Sequence, residues 1–157
     1  VVFYNKPNRR AFSAPGRESR RQEADTMQIH QSAEDYLETI LMLNQRMGRV
    51  RSIDVVNELG YTKASVSIAM KKLRENGYIA VDGEGNLTLL EPGLEIAERI
   101  YSRHRLLTHF FVQLGVDEEV AAEDACKAEH ILSEQTLKKI REYALLHDAE
   151  DSVQRSE

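Results

Sequence analysis

Six side chains of this 157-residue sequence have the types and spacings to hold a transition metal. Asp35 and Glu38 are three apart, which sets two carboxylates on one face of a helix. Cys126, Glu129 and His130 stand at i, i+3 and i+4, so a thiol, a carboxylate and an imidazole share a second helical face. His104 lies on a long apolar-periodic segment between the two groups. Carboxylates crowded into a partly buried place repel one another, and a divalent cation removes that cost. Imidazole and thiolate suit Fe, Co, Ni or Zn, whereas carboxylates suit Mn or Fe. Taken singly, each residue also has an ordinary reading: Asp35 as an acid at a helix start, Glu38 as a solvated side chain, His104 as a surface residue beside Arg103, Cys126 as a small buried apolar group. The C-x-x-E-H spacing is what makes them a candidate site. Cys126 and His130 do not read as nucleophile and base, because i, i+4 places them side by side with no oxyanion element or Gly-rich loop nearby. An enzyme is therefore not expected, nor a small organic substrate.

The elements that must position these residues are legible from periodicity and turn residues. Ser32 with Asp35 looks like a helix start, followed by Tyr36, Leu37, Ile40, Leu41 and Leu43 at helical spacing, with Gly48 as the stop. A short helix carrying Ile53, Val55, Val56 and Leu59 follows, capped by Ser52 and closed by Gly60. After Tyr61-Thr62 comes a second helix, KASVSIAMKKLRENG, with Val66, Ala69, Met70 and Leu73 on its apolar face. Two β-prone runs, Tyr78–Val81 and Leu87–Leu90, flank a Gly-containing polar turn and predict a hairpin. Pro92-Gly93 leads into a long helix ending at Gly115, with two more expected over about Asp117–Ser133 and Ser133–Leu146. Helix, helix, turn, helix and two-strand wing is the winged helix-turn-helix layout, so a mainly α fold is expected: a winged helix-turn-helix over 27–93, then a helical metal-binding and dimerisation domain over 94–147. Residues 1–26 lack an apolar period and read as a disordered basic tail, and 148–157 as an acidic tail.

In that layout the helix from Lys63 enters a DNA major groove N-terminal end first. Thr62, Lys63, Ala64, Ser65 and Ser67 are the candidate groove-facing positions, and Lys71 and Lys72 (with Arg74) suit phosphate contacts. Arg49 and Arg51 are placed to clamp backbone at the start of the preceding helix. With no Asn, Gln or Arg at the leading positions, readout leans on phosphates and DNA shape. The net charge of −5 hides an asymmetry that supports this. Between Gln45 and Gly77 seven basic residues face three acidic ones, whereas from Arg103 onward seven face twelve. One cysteine excludes an internal disulfide. No apolar run approaches the roughly 18 residues of a membrane span, and the N-terminal stretch lacks the apolar region of a signal peptide, so a cytoplasmic protein without membrane contact is expected.

On AEDYLETILML, TKASVSIAMKKLRENGYI, SRHRLL and GVDEEVAAEDACKAEHILS, the chain from Ser32 to about Leu146 resembles the DtxR/MntR family of metal-dependent transcriptional repressors. The resemblance implies a homodimer whose winged helices bind a palindromic operator in double-stranded DNA when Mn(II) or Fe(II) is held between the two halves. Asp35, Glu38, His104, Glu129 and His130 match ligands of the manganese-responsive branch. Cys126 matches the iron-responsive branch, which keeps cysteine in the same C-x-x-E-H arrangement; the manganese branch has glutamate there. Thr108 and Ala122 stand where the iron branch has two ancillary ligands, so that second site is expected to be missing. The two-domain form, without the SH3-like domain of larger iron-type members, is implied. The rival reading is a winged-helix regulator that uses no metal.

Overall fold

The structure is a computed structural model that describes the backbone of residues 17–154 and the side chains of residues 31–148. In chain order it contains α1 (Arg17–Met47), α2 (Ser52–Leu59), α3 (Lys63–Glu75), β1 (Ile79–Val81), β2 (Leu87–Leu89), α4 (Glu91–Gln113), α5 (Glu118–Ala128) and α6 (Glu134–Gln154). The two strands pair antiparallel, Ile79 opposite Leu89 and Val81 opposite Leu87, and an isolated bridge from Arg51 to Asn86 ties the α1–α2 connection to the same sheet. This is a winged helix-turn-helix followed by a helical domain.

Apolar spacing dictates the packing. Tyr36, Leu37, Ile40, Leu41 and Leu43 of α1 are buried with Val55, Val66, Met70, Leu73, Ile79, Leu87 and Ala97 in one cluster, so α1 is the hub of the N-terminal half. A second, smaller cluster joins Leu107, Ala125 and Leu137 of α4, α5 and α6. Helix α4 runs through both, with Ala97 in the first and Leu107 in the second. Gly60 closes α2 in the left-handed conformation (φ 66°), which any side chain would resist, and so makes the tight turn into α3.

Four details differ from the sequence reading. Helix α1 begins at Arg17, not Ser32, so the expected tail is helical in backbone from that point, while residues 1–16 lie outside the described ones. Arg, Glu, Gln and Ala dominate 17–24, and intrinsic propensity continues a helix there without an apolar face. The N-cap of α2 is Arg51 rather than Ser52, because Arg51 is held extended by the Asn86 bridge and its N–H donates to Asp54 Oδ2 at 2.7 Å. The expected helix to Ser133 stops at Ala128. Finally, α6 runs past His147 into the expected acidic tail, where Asp148 is anchored to α4 by His109 Nε2 (3.0 Å) and Gln113 Nε2 (2.8 Å).

The start of α4 is wedged under the wing. A Cβ at Gly93 would stand 2.1 Å from the carbonyl oxygen of Tyr78, which already accepts a hydrogen bond from the Leu90 N–H at 2.9 Å. Only glycine fits this approach. Gly93→Ala is expected to lower stability by roughly 1–3 kcal/mol through overpacking, read as a lower urea midpoint; an unchanged midpoint would contradict the wedge.

Candidate functional site

Glu129 is the residue around which the site is built. Its side chain is 0% exposed, and each oxygen faces a different histidine. Oε2 lies 2.9 Å from His104 Nδ1, and Oε1 lies 3.3 Å from His130 Nε2. His104 comes from the middle of α4, while His130 sits in the turn after α5. That turn exists because the carbonyl of Glu129 accepts from Arg103 Nη1 (3.1 Å) instead of from a further helical turn, while the N–H groups of Ile131 and Leu132 fold back onto the Ala128 carbonyl. A close Arg103–Glu134 ion pair fixes the guanidinium. Released from helical register, the His130 ring reaches α1, where Nε2 is 2.8 Å from Asp35 Oδ1 and Nδ1 is 2.9 Å from Glu34 Oε2.

One donor atom each from Glu38, His104 and Glu129 lies within 4.8 Å of the others, the spacing of a shared cation's ligands. His130 adjoins this trio through Glu129, and Asp35 adjoins it through His130. Five of the six sequence candidates thus come together, although not on the two simple helical faces that spacing predicted. Cys126 is the exception: its side chain is exposed, at the rim. The residues that sequence reasoning missed are Glu34, Arg99 and Arg103. Glu34 neighbours Asp35 but points at a different partner, and the two arginines carry no spacing signal that relates them to the acids.

Three buried atoms in the cluster have no hydrogen-bond partner: Glu38 Oε1, Glu129 Oε1 and His130 Nε2. The short contacts of Nε2 to Asp35 and Glu129 lack hydrogen-bond geometry. Buried polar groups are almost always satisfied, so a cluster of orphans on facing carboxylates and an imidazole fits a cation-binding role. The donor set of imidazole nitrogens and carboxylate oxygens suits a first-row divalent metal.

The electrostatics follow from this crowding. Burial, and then the charge of Glu129, push the Glu38 carboxyl up to about 7. Burial opposes the charge on His130, but the carboxylates of Asp35, Glu129 and Glu34 outweigh it and raise the ring to about 10. The bond to Glu129 raises His104 against its own desolvation. Burial acts to raise Glu129, yet the two histidines hold it below the usual carboxylate range. Desolvation and the charges of Glu129, Asp35 and Glu38 push the Cys126 thiol up to about 11.

The candidate DNA-facing residues lie in the α1–α2 connection and along α3, where Ser65 and Lys72 line a cleft of about 900 Å³ that also reaches Glu34 and Arg99. Lys63, Ala64, Ser65, Ser67, Lys71 and Lys72 are all exposed on α3, whose Val66, Met70 and Leu73 are buried. The Thr62 hydroxyl is committed to capping α3, accepting the Ser65 N–H at 3.1 Å and sharing a 2.8 Å hydrogen bond with its hydroxyl. A cleft of about 490 Å³ between α2, α3 and the wing is lined by Lys63, Ser67, Lys71 and Arg74. Arg49 is largely exposed and 3.7 Å from Glu84 of the wing turn, while Arg51 is exposed at the start of α2.

Fold and site together define a winged-helix DNA-binding protein with a histidine–carboxylate cluster where its two halves meet. Comparison with known proteins sharpens that class. Residues 28–87 match the DNA-binding N-terminal domain of iron-dependent repressors, and residues 90–147 match their metal-binding and dimerisation domain. The chain is 35% identical over 115 residues to an uncharacterised HTH-type transcriptional regulator of Methanocaldococcus jannaschii, covering 72% of this chain and 92% of that one. It is 32% identical over 121 residues to the regulator MntR of Bacillus subtilis, covering 77% and 85%. A solved manganese-dependent transcriptional repressor in complex with manganese superposes with a TM-score of 0.65 at 27% identity, over 71% of this chain and 52% of that one. The IdeR structure from T. acidophilum shares the fold, with a TM-score of 0.65. The chain thus spans about half the length of these solved structures. The chain belongs to the iron-dependent repressor family, the DtxR/MntR group of metal-dependent transcriptional repressors. Its relatives are transcriptional regulators.

Glu38 and His130 both bind protons more tightly folded than unfolded, so each stabilises the fold most below its unfolded pKa. Glu38 loses its contribution as pH rises from its ordinary 4.5 through about 7, and His130 as pH rises from 6.5 through about 10. In chelator, the melting temperature is therefore expected to fall from about pH 5 to about pH 8. Glu38→Gln should flatten the lower part of that decline. A melting temperature that rises steadily over the window would contradict the assignment.

Proposed function

We propose that this protein is a repressor of metal-ion homeostasis genes, switched to operator binding by Mn(II) or Fe(II). The observation that carries the reading is the set of buried, unpartnered atoms on Glu38, Glu129 and His130 beside His104. A regulator that used no metal would bear that cost for nothing. Glu38, His104 and Glu129 would hold the ion, with His130 Nε2 and Asp35 as further donors beside them. A bound divalent cation supplies positive charge for facing carboxylates and fixed directions for its donors. Cys126 would tune selectivity from the rim: a thiolate favours Fe(II), and the oxygen-rich remainder favours Mn(II).

The chain's own residues explain how such a site would reach DNA. Asp35 and Glu38 belong to α1, whose other face packs with Val55 of α2 and Val66 and Met70 of α3 in one core. His104 belongs to α4 and Glu129 to the end of α5. Holding the two carboxylates of α1 against the helical half therefore fixes where α3 points. In a homodimer built on residues 94–147, that sets the separation of two recognition helices, which a palindromic operator in double-stranded DNA would match. Lys71, Lys72, Arg49 and Arg51 would engage phosphates, while Lys63, Ala64, Ser65 and Ser67 would approach base edges, with Thr62 holding the helix end. Among the described residues no helix is long and apolar enough to cross a membrane, which suits a cytoplasmic regulator.

A gel-shift titration with Mn(II), anaerobic Fe(II) or Zn(II), against excess chelator, tests the switch; equal DNA binding in chelator would exclude it. Glu129→Ala is expected to weaken metal binding and metal-dependent DNA binding while the fold persists. Cys126→Glu should shift preference toward Mn(II), and an unchanged Mn(II)-to-Fe(II) ratio would remove Cys126 from the site.

A further inference from the structure

Glu34 stands one residue before Asp35 and divides its carboxylate between two partners. Oε2 lies 2.9 Å from His130 Nδ1, and Oε1 accepts from Arg99 Nη2 at 3.0 Å. The His130 side chain is only 3% exposed, and its ring is flanked by consecutive α1 carboxylates, Glu34 on Nδ1 and Asp35 on Nε2. The two flanks are not equivalent. The Nδ1 contact is a hydrogen bond, whereas Nε2 is buried and makes none. A carboxylate that accepts the Nδ1–H hydrogen bond fixes the plane of the ring and leaves Nε2 as the atom that a cation can meet in exchange for a proton. His104 has no such support among the described residues, since its Nδ1 is turned to Glu129, itself a candidate ligand.

We propose that Glu34 is a positioning residue for the metal centre, holding His130 as an Nε2 donor in fixed orientation, with Arg99 holding Glu34. The inference rests on the metal-site reading above. It adds that, besides Glu38, α1 sets two adjacent residues on opposite sides of one ring. Arg99 matters because a carboxylate 23% exposed would otherwise sample many rotamers. The ion pair with Arg99 is half-exposed and worth little for stability, so its value lies in aim rather than in energy.

The test is a Co(II) titration followed by d–d absorption, together with ¹H–¹⁵N spectra of the imidazoles in the Zn(II)-loaded protein. Wild-type protein should show a slowly exchanging His130 Nδ1–H. Glu34→Ala should lose that resonance and bind Co(II) roughly 10- to 100-fold more weakly, the usual effect of removing a ligand's hydrogen-bond partner. Glu34→Gln keeps a carbonyl acceptor, and should retain the resonance and bind more tightly than Glu34→Ala. Arg99→Met, which leaves Glu34 in place, should weaken Co(II) binding by a smaller factor and speed the Nδ1–H exchange. Wild-type Co(II) affinity in Glu34→Ala, or an unchanged Nδ1–H in both Glu34→Ala and Arg99→Met, would overturn the positioning role while leaving the metal site intact. Failure of the unsubstituted protein to bind Co(II) would overturn both.

Discussion

A carboxylate with no exposure to water cannot keep its charge unless the protein answers it, and Glu129 is such a group. The desolvation of one buried ion costs several kcal/mol. Here His104, from α4, hydrogen-bonds one oxygen, while the ring of the adjacent His130 stands 3.3 Å from the other without a hydrogen bond. Meeting that demand shapes the chain around it. Helix α5 must end at Ala128 so that His130 can swing out, and Arg103 must take the carbonyl that the helix gives up. Asp35, Glu38 and Glu34 then become neighbours of the histidines, and α1 is drawn against α4.

The position of this cluster matters as much as its chemistry. It lies between two hydrophobic clusters, one joining α1 to the winged half and the other joining α4, α5 and α6. Apolar contacts are non-directional and tolerate small slides, whereas hydrogen bonds and coordination do not. A polar cluster at the junction therefore decides how two well-packed bodies meet. The proton affinities point the same way. Glu38 and His130 hold protons that oppose the approach of a cation, so charge at the junction is balanced either by protons or by a metal.

Much of the fold was legible in the sequence because local signals agreed with one another. Gly60 and Gly77 bracket α3 within a few residues, apolar spacing marks its buried face, and the polar turn between Val81 and Leu87 announces the wing. The ligands were legible in type, since Glu129-His130 and Asp35 with Glu38 carry a recognisable spacing. Their arrangement was not. Spacing assumes an unbroken helix, and at the break after Ala128 the Glu129 carbonyl is taken by Arg103, 26 residues upstream of Glu129. Glu34 escaped for a related reason: adjacent helical residues point about 100° apart, so only tertiary structure could show that both reach one ring. The start of α1 was misread because an N-cap pattern at Ser32 looked sufficient, although nothing upstream forbids a helix. Cys126 obeyed the spacing and still lies at the rim, since one helical turn before the break leaves it on the open side.

The wedge at Gly93 has a bearing on how such a molecule meets its target. The wing base rests on the first turn of α4, and the same unbroken helix carries Arg99, Arg103 and His104 two to three turns later, about 9 to 16 Å along its axis. Helix α3 and the wing share one core with the start of that helix. Any adjustment of α3 relative to the helical half would then have to come at the polar cluster farther along α4, not at the wing.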